Sequence, residues 1–273
     1  GLANYPGNWV IKVLFLRVLS ALLGIPLIVF AVLTGGWFLF IAALIVALVA
    51  QLEFYTLLSK RGHKGSNLLG FLAAVLVIGL FFVNRMGLIS HVLTGLVVAL
   101  FLQQMAKGNI EGCISNIAGT TMGVLYPVLP LAYLFLLRNL SAFHLLFVFV
   151  ITWANDSGAY FIGRAVGRRP LSPTISQNKT VEGAVGGLLA SIIAALPFGK
   201  ILDLLPFHLI IMGFFLGCGA QVGDLFASLL KRFAGVKDSG KLIPGHGGVL
   251  DRFDALLLAL PLGYLLFYLA RVV

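Results

Sequence analysis

KDSGKLIPGHGGVLDRFDALLLALPLGYLLFYLA, Lys237 to Ala270, changes character halfway. Its first nineteen residues, to Ala255, hold two lysines, an arginine, a histidine and three aspartates, and the remaining fifteen carry no charge. The uncharged half is typical of the chain. Hydrophobic residues make up 60% of its 273 residues and charged residues 10%, with a mean hydropathy of +1.06. Soluble domains carry roughly 25% charged residues, so this composition excludes an ordinary soluble enzyme and describes an integral membrane protein.

Working outward from Lys237, about nine apolar stretches come close to the ~20 residues that cross a bilayer as helix. They run over 12–33, 37–58, 67–83, 88–105, 117–137, 143–162, 183–199, 207–230 and 253–271. A spanning segment must satisfy its own backbone hydrogen bonds, so stretches of this length without alternation are helices. The expected fold is an all-α polytopic bundle of about nine transmembrane helices. It forms one membrane domain over 1–273, with the chemistry in 151–255. Pro127 and Pro130 predict a kink, and Gly213, Gly217, Gly219 and Gly223 predict close helix contacts. The first stretch is too long for a signal segment and is expected to stay as an anchor. Cys113 and Cys218 stand far apart and outside any CxxC pair, which reads as small apolar filler rather than a metal or disulfide site.

Nine spans place fifteen of the nineteen Lys and Arg on one side, leaving Arg85, Arg138, Lys200 and Arg271 on the other. The basic side is expected to face the cytoplasm of a cell inner membrane, with the N-terminus on that side. No nucleic-acid partner is expected for the +10 net charge. The acids follow the bases, since only Asp203 of nine falls on the poor side. Glu53, Asp156 and Asp224 lie inside spans near the basic end, where an ionisable group costs several kcal/mol unless paired, hydrated or metal-bound. A shared polar cavity open to that side is the expectation.

The opening stretch supplies the rest of such a cavity. Asp224 precedes Lys231 and Arg232, a basic loop follows, then Gly247 and Gly248, then Asp251, Arg252 and Asp254 at the start of the last span. Paired glycines and a helix N-terminus suit an anion. Asp251 and Asp254, three apart, can share a face. Carboxylates with water suit Mg²⁺, which usually takes one or two of them plus substrate phosphates. Acids for a metal beside bases for phosphates compose a polyphosphate site. Taken singly, Asp254 also suits a helix cap, and Lys241 a solvated loop.

Ser228-Leu-Leu-Lys231-Arg232, Lys237-Asp238, Pro244-Gly-His246-Gly247-Gly248 and Asp251-Arg252-Phe253-Asp254 together resemble the signature of the phosphatidate cytidylyltransferases, the CDP-diacylglycerol synthases. WANDSGAYFIGR (Trp153–Arg164) and NKTVEG (Asn178–Gly183) resemble further motifs of that family, and Glu53-Phe54-Tyr55 is a fainter one. Ser176-Gln-Asn-Lys179-Thr180 departs from the family's Ser-Pro-Lys-Lys-Thr run by one basic residue and leaves Lys179 as the phosphate candidate. The resemblance implies that CTP and phosphatidic acid give CDP-diacylglycerol and pyrophosphate with Mg²⁺, in a homodimer among membrane lipids. It places the metal on Asp224 and Asp251, with Asp254 as a third ligand. Lys237, Arg252, Arg232 and Lys179 would hold phosphates, Gly247 and Gly248 would donate backbone N–H groups, and His246 would contact a phosphate or the pyrophosphate. Asp156, with Asn155 and Ser157, would hold a second cation or order the cavity. A CTP-dependent polyprenol kinase would release CDP instead. A secondary transporter of an anionic metabolite would place its polar groups near the bilayer midplane, and a scaffold would leave the intramembrane aspartates unexplained.

Overall fold

A computed structural model describes residue 22 and residues 24–270 other than 64, 109, 241 and 243–246. The described part is helical, with α1 over Gly24–Thr34, α2 over Gly36–Ser59, α3 over Asn67–Phe82 and α4 over Ile89–Lys107. Next come α5 (Cys113–Leu125), α6 (Val128–Leu140) and α7 (Ala142–Val166). A two-stranded antiparallel hairpin, β1 (Pro170–Ser172) and β2 (Ser176–Thr180), leads into α8 (Val181–Ala195). The short α9 (Gly199–Leu202) precedes α10 (Pro206–Phe233) and α11 (Leu250–Leu269).

All nine apolar stretches map onto helix, the first only from residue 24, because its earlier part lies outside the described residues. Seven segments are long and apolar enough to span a bilayer, with α5 and α6 counting as one, and α1 and α3 are shorter. The break between α5 and α6 falls at Tyr126-Pro127, where proline cannot supply the N–H that would continue the ladder. Local residue chemistry sets the other ends. Gly108 closes α4 in the left-handed conformation with φ 62°. The Thr180 hydroxyl accepts the Gly183 N–H at 3.1 Å and starts α8. The Ser141 hydroxyl does the same for His144 at the start of α7.

Helices α7, α8, α10 and α11 pack as one cluster, and α6 joins it to α2, α3 and α5. Phe147, Phe267, Leu137, Leu145 and Leu216 are buried along these contacts. Helix α4 is peripheral, burying Leu96, Leu100 and Gln104. The glycines of α10 allow the close approach expected of them. A methyl group at Gly213 would stand 2.8 Å from Ile192 Cα and 3.0 Å from the Ser191 carbonyl of α8, and one at Gly223 would stand 2.5 Å from the Asp254 carbonyl of α11.

The two ends of the bundle differ. At one end the Ser66 N–H donates to Thr120 Oγ1 at 2.8 Å, Arg61 Nε donates to the Phe233 carbonyl, and Arg232 Nε donates to the Ile175 carbonyl at 3.2 Å. These contacts bring the basic loops and the hairpin together. At the other end Arg138 donates to the last carbonyls of α1, Val32 at 2.7 Å and Leu33 at 3.1 Å.

Gly213→Val is expected to wedge α10 from α8 at a cost of about 1–3 kcal/mol. Thermal unfolding of the detergent-solubilised protein should show a lower midpoint, and an unchanged midpoint would refute this contact.

Candidate active site

A cavity of about 600 Å³ opens between α7, the hairpin, α8 and α10. Asn155, Asp156 and Arg164 of α7 line it, with Asn178 and Lys179 of β2, Gly183 and Ala184 of α8, and Gln221 and Asp224 of α10. Lys179 Nζ and Asp224 Oδ2 form an ion pair at 2.6 Å across it. The wall is built by hydrogen bonds that spare these charges. Gln221 Nε2 donates to the Ala184 carbonyl at 2.8 Å, and Asn155 Nδ2 donates to Ser191 Oγ at 3.0 Å and the Gly217 carbonyl at 3.3 Å. Glu182 accepts the Arg168 and Arg169 N–H groups at 3.0 and 3.2 Å, fixing the base of the hairpin that carries Lys179.

Asp224 has carboxylate neighbours. Asp156 and Asp254 each feel its charge, and Asp254 also feels that of Asp156. Asp254 is buried, and among the described residues its Oδ1 accepts only the adjacent Ala255 N–H, at 2.8 Å. Asp156 accepts no hydrogen bond among the described residues, although Lys179 and Arg252 act on it electrostatically. Three carboxylates from three helices with few protein donors fit a hard cation. Among the described residues no three His, Cys, Asp or Glu side chains form a ready-made metal cage. The fit is to an ion such as Mg²⁺, which keeps water and substrate phosphates in its shell.

Asp251 has a different environment. Its Oδ2 accepts the Ser239 N–H at 2.8 Å, the Ser239 hydroxyl at 2.9 Å and the Gly248 N–H at 3.0 Å, while Oδ1 accepts Lys231 Nζ at 2.7 Å. Asp251 therefore ties Ser239, Gly248 and Lys231 together. Glu53 of α2 completes this lock from the far end of the sequence. It is 7% exposed, its carboxylate accepts the Val249 N–H at 3.0 Å and the Leu250 N–H at 2.8 Å, and its Oε2, 3.0 Å from Ser239 Oγ, shares that hydroxyl's single proton with Asp251. The start of α11 and its positive field are thus met by protein carboxylates.

This changes the role of the glycine pair. The Gly248 N–H expected to meet a phosphate is given to Asp251, and a side chain at Gly248 would run into Ser239 Oγ and the Glu53 carboxylate. The pair permits the lock to close. Gly247 takes φ 81°, a conformation glycine adopts without strain. Lys237 and Arg252 are exposed at the same end, as is Arg232 beside the hairpin. His246 and Lys241 lie outside the described residues.

Of Glu53, Asp156 and Asp224, which the sequence grouped in one cavity, Asp156 and Asp224 line it together with Lys179 and Glu53 does not, and the partners Ser239 and Lys231 of Asp251 were missed. Its position near the basic end was the available signal for the part Glu53 plays at the start of α11.

Residues 15–270 match the profile of the cytidylyltransferase family. The chain is 43% identical over 151 residues to a phosphatidate cytidylyltransferase of Bacillus subtilis strain 168, covering 54% of this chain and 56% of that protein. It is 35% identical over 252 residues to the phosphatidate cytidylyltransferase of Staphylococcus epidermidis strain ATCC 12228, covering 90% of this chain and 96% of that one. The protein of the same name from Staphylococcus aureus strain COL is 34% identical over 252 residues, with the same coverage.

Glu53→Gln keeps the shape of the lock but turns one acceptor into a donor that faces backbone N–H groups. Hydrogen bonds to a charged group are worth about 1.5–3 kcal/mol each, so the loop from 234 to 249 should open. Limited proteolysis should cut this variant there well before the parent. Equal resistance would mean that Glu53 does not hold the loop.

Proposed function

The chain belongs to the cytidylyltransferase family and is a nucleotidyltransferase, and on that premise we propose that it transfers the cytidylyl group of CTP to the phosphate of phosphatidic acid. The products are CDP-diacylglycerol and pyrophosphate, a step of phospholipid biosynthesis. The observation that carries this reading is the set of carboxylates on α7, α10 and α11, beside Lys179 and a cavity large enough for a nucleotide. The names of the relatives support the substrate.

A lipid phosphate oxygen attacks the α-phosphorus of CTP, one P–O bond forms, and the bond to the pyrophosphate oxygen breaks. The attacking group is already anionic, so no protein nucleophile is required, and positioning with charge neutralisation supplies the rate. Asp224 and Asp251 would hold Mg²⁺, with Asp254 as a further carboxylate and Asp156 available to a second cation. When bound, Mg²⁺ supplies neutralisation of the charge that builds on the phosphates. Lys179, paired with Asp224 here, would hold a phosphate of the substrate. Arg232, Lys237 and Arg252 hold the remaining phosphate oxygens, with the Gly247 N–H beside them, and His246 meets the leaving pyrophosphate.

The positive-inside bias supports a cytoplasmic site in a cell inner membrane, with the N-terminus on the same side. That is where CTP is available, and the lipid arrives from the bilayer. A homodimer is the assembly that the family resemblance implies.

Purified protein given CTP and phosphatidic acid should release pyrophosphate only when Mg²⁺ is present. Asp224→Asn should lower turnover at saturating CTP about a hundredfold or more, the scale of losing one transition-state stabiliser. Release of CDP would indicate a lipid kinase, and near-parent turnover of the variant would remove Asp224 from the metal site.

A further inference from the structure

The last turns of α7 read Asn155-Asp-Ser-Gly-Ala-Tyr160-Phe-Ile-Gly-Arg164-Ala-Val166. Residues four apart stand above one another on a helix, so this stretch carries adjacent stripes. Asn155, Ala159 and Gly163 line the cavity and none of them is exposed. Asp156, Tyr160 and Arg164 line it as well, and all of them are exposed. Ser157, Phe161 and Ala165 are exposed and lie outside the lining. The middle stripe is therefore the rim along which the cavity meets the outer surface of the bundle. On a membrane-spanning helix that surface meets lipid, and the exposed Phe161 ring suits it.

The rim ends in a pair of donors. Arg164 Nη1 donates to the Tyr160 hydroxyl at 3.0 Å. Among the described residues no carboxylate pairs with Arg164, and no group accepts the Tyr160 proton. The phenolic oxygen is spent on orienting the guanidinium, which leaves the phenolic proton and the other guanidinium N–H groups to be matched. Every unmatched group is a donor, so the pair suits an anion, and a guanidinium fork suits the oxygens of a phosphate. Arg164 also stands in the last turn of α7, where a cation favours the helix dipole. A lysine would serve the dipole equally well, whereas the fork serves a bidentate partner.

The substrates of the proposed reaction reach the cavity from different phases. CTP comes from water, while phosphatidic acid keeps its acyl chains in the bilayer and brings only its phosphate to the protein. A donor pair on the lipid-facing rim meets both demands of the lipid. We propose that Arg164, oriented by Tyr160, binds the phosphate of the lipid substrate at this rim. The inference rests on the cytidylyl-transfer reading above and gives the lipid a contact of its own. Arg164, Lys179 and Asp224 line one cavity, so a phosphate on the guanidinium shares the space in which the α-phosphorus of CTP would sit.

Arg164→Lys is the informative variant, since it keeps the charge at the helix end and removes the fork. Pyrophosphate release is followed with phosphatidic acid varied in mixed micelles at saturating CTP and Mg²⁺, and then with CTP varied at saturating lipid. The variant should show a KM for phosphatidic acid about tenfold higher, the scale of one hydrogen bond to a charged group, and an unchanged KM for CTP. Tyr160→Phe removes only the orienting oxygen and should raise the same constant by a smaller factor. Both variants should keep the thermal midpoint of the parent in detergent. An unchanged KM for phosphatidic acid overturns the proposal and leaves Arg164 as an interfacial anchor. A rise in the KM for CTP instead, or a loss confined to kcat, also overturns it while the functional reading stands. If Arg164→Lys lowers the midpoint, Tyr160→Phe decides, and a parent-like KM for the lipid in that variant refutes the pair. A parent that releases no pyrophosphate removes the functional reading and this inference together.

Discussion

A carboxylate inside a helical membrane bundle must find donors or a cation, because neither lipid nor buried side chains can solvate it. The arrangement of this protein follows from how each acid meets that demand. Glu53 takes the backbone N–H groups that open α11. Asp251 takes Ser239, Gly248 and Lys231. Asp224 takes Lys179. Asp254 has one local N–H, and Asp156 has no protein donor among the described residues. The first two acids build the loop, the third is held by Lys179, and the last two are left with few protein donors.

This division also explains why the N-terminal helices matter to a signature that lies entirely in the C-terminal half. Glu53 and Val249 are 196 residues apart, yet their hydrogen bond sets where α11 begins and therefore where Asp251 and Asp254 point. The approach is close enough that Gly248 has to lack a side chain, and Gly223 lets α10 lie against the Asp254 backbone. Small residues in a membrane bundle let backbones approach, and here the approach is also what gathers the charges.

The spans were legible because a bilayer enforces long uncharged runs, and no alternative element satisfies the backbone there. The kink at Pro127 and the close contacts of the α10 glycines were legible for equally local reasons. Asp156 and Asp224 could be grouped because each breaks an apolar pattern near the same end. The partner of each acid could not be read in this way. A hydrogen bond between α2 and the start of α11 leaves no periodic trace in a sequence, so Glu53 looked like a cavity acid and Gly248 like an anion cradle.

The central claim is that carboxylates on three helices form one cation-and-phosphate site. Mn²⁺ in place of Mg²⁺ makes that site directly visible by electron paramagnetic resonance. Titration of the purified protein with Mn²⁺ and CTP should show a bound cation signal, and the Asp224→Asn/Asp254→Asn variant should lose it while remaining folded in detergent. A variant that binds Mn²⁺ with the affinity of the parent would contradict the account, because the cation would then be held elsewhere.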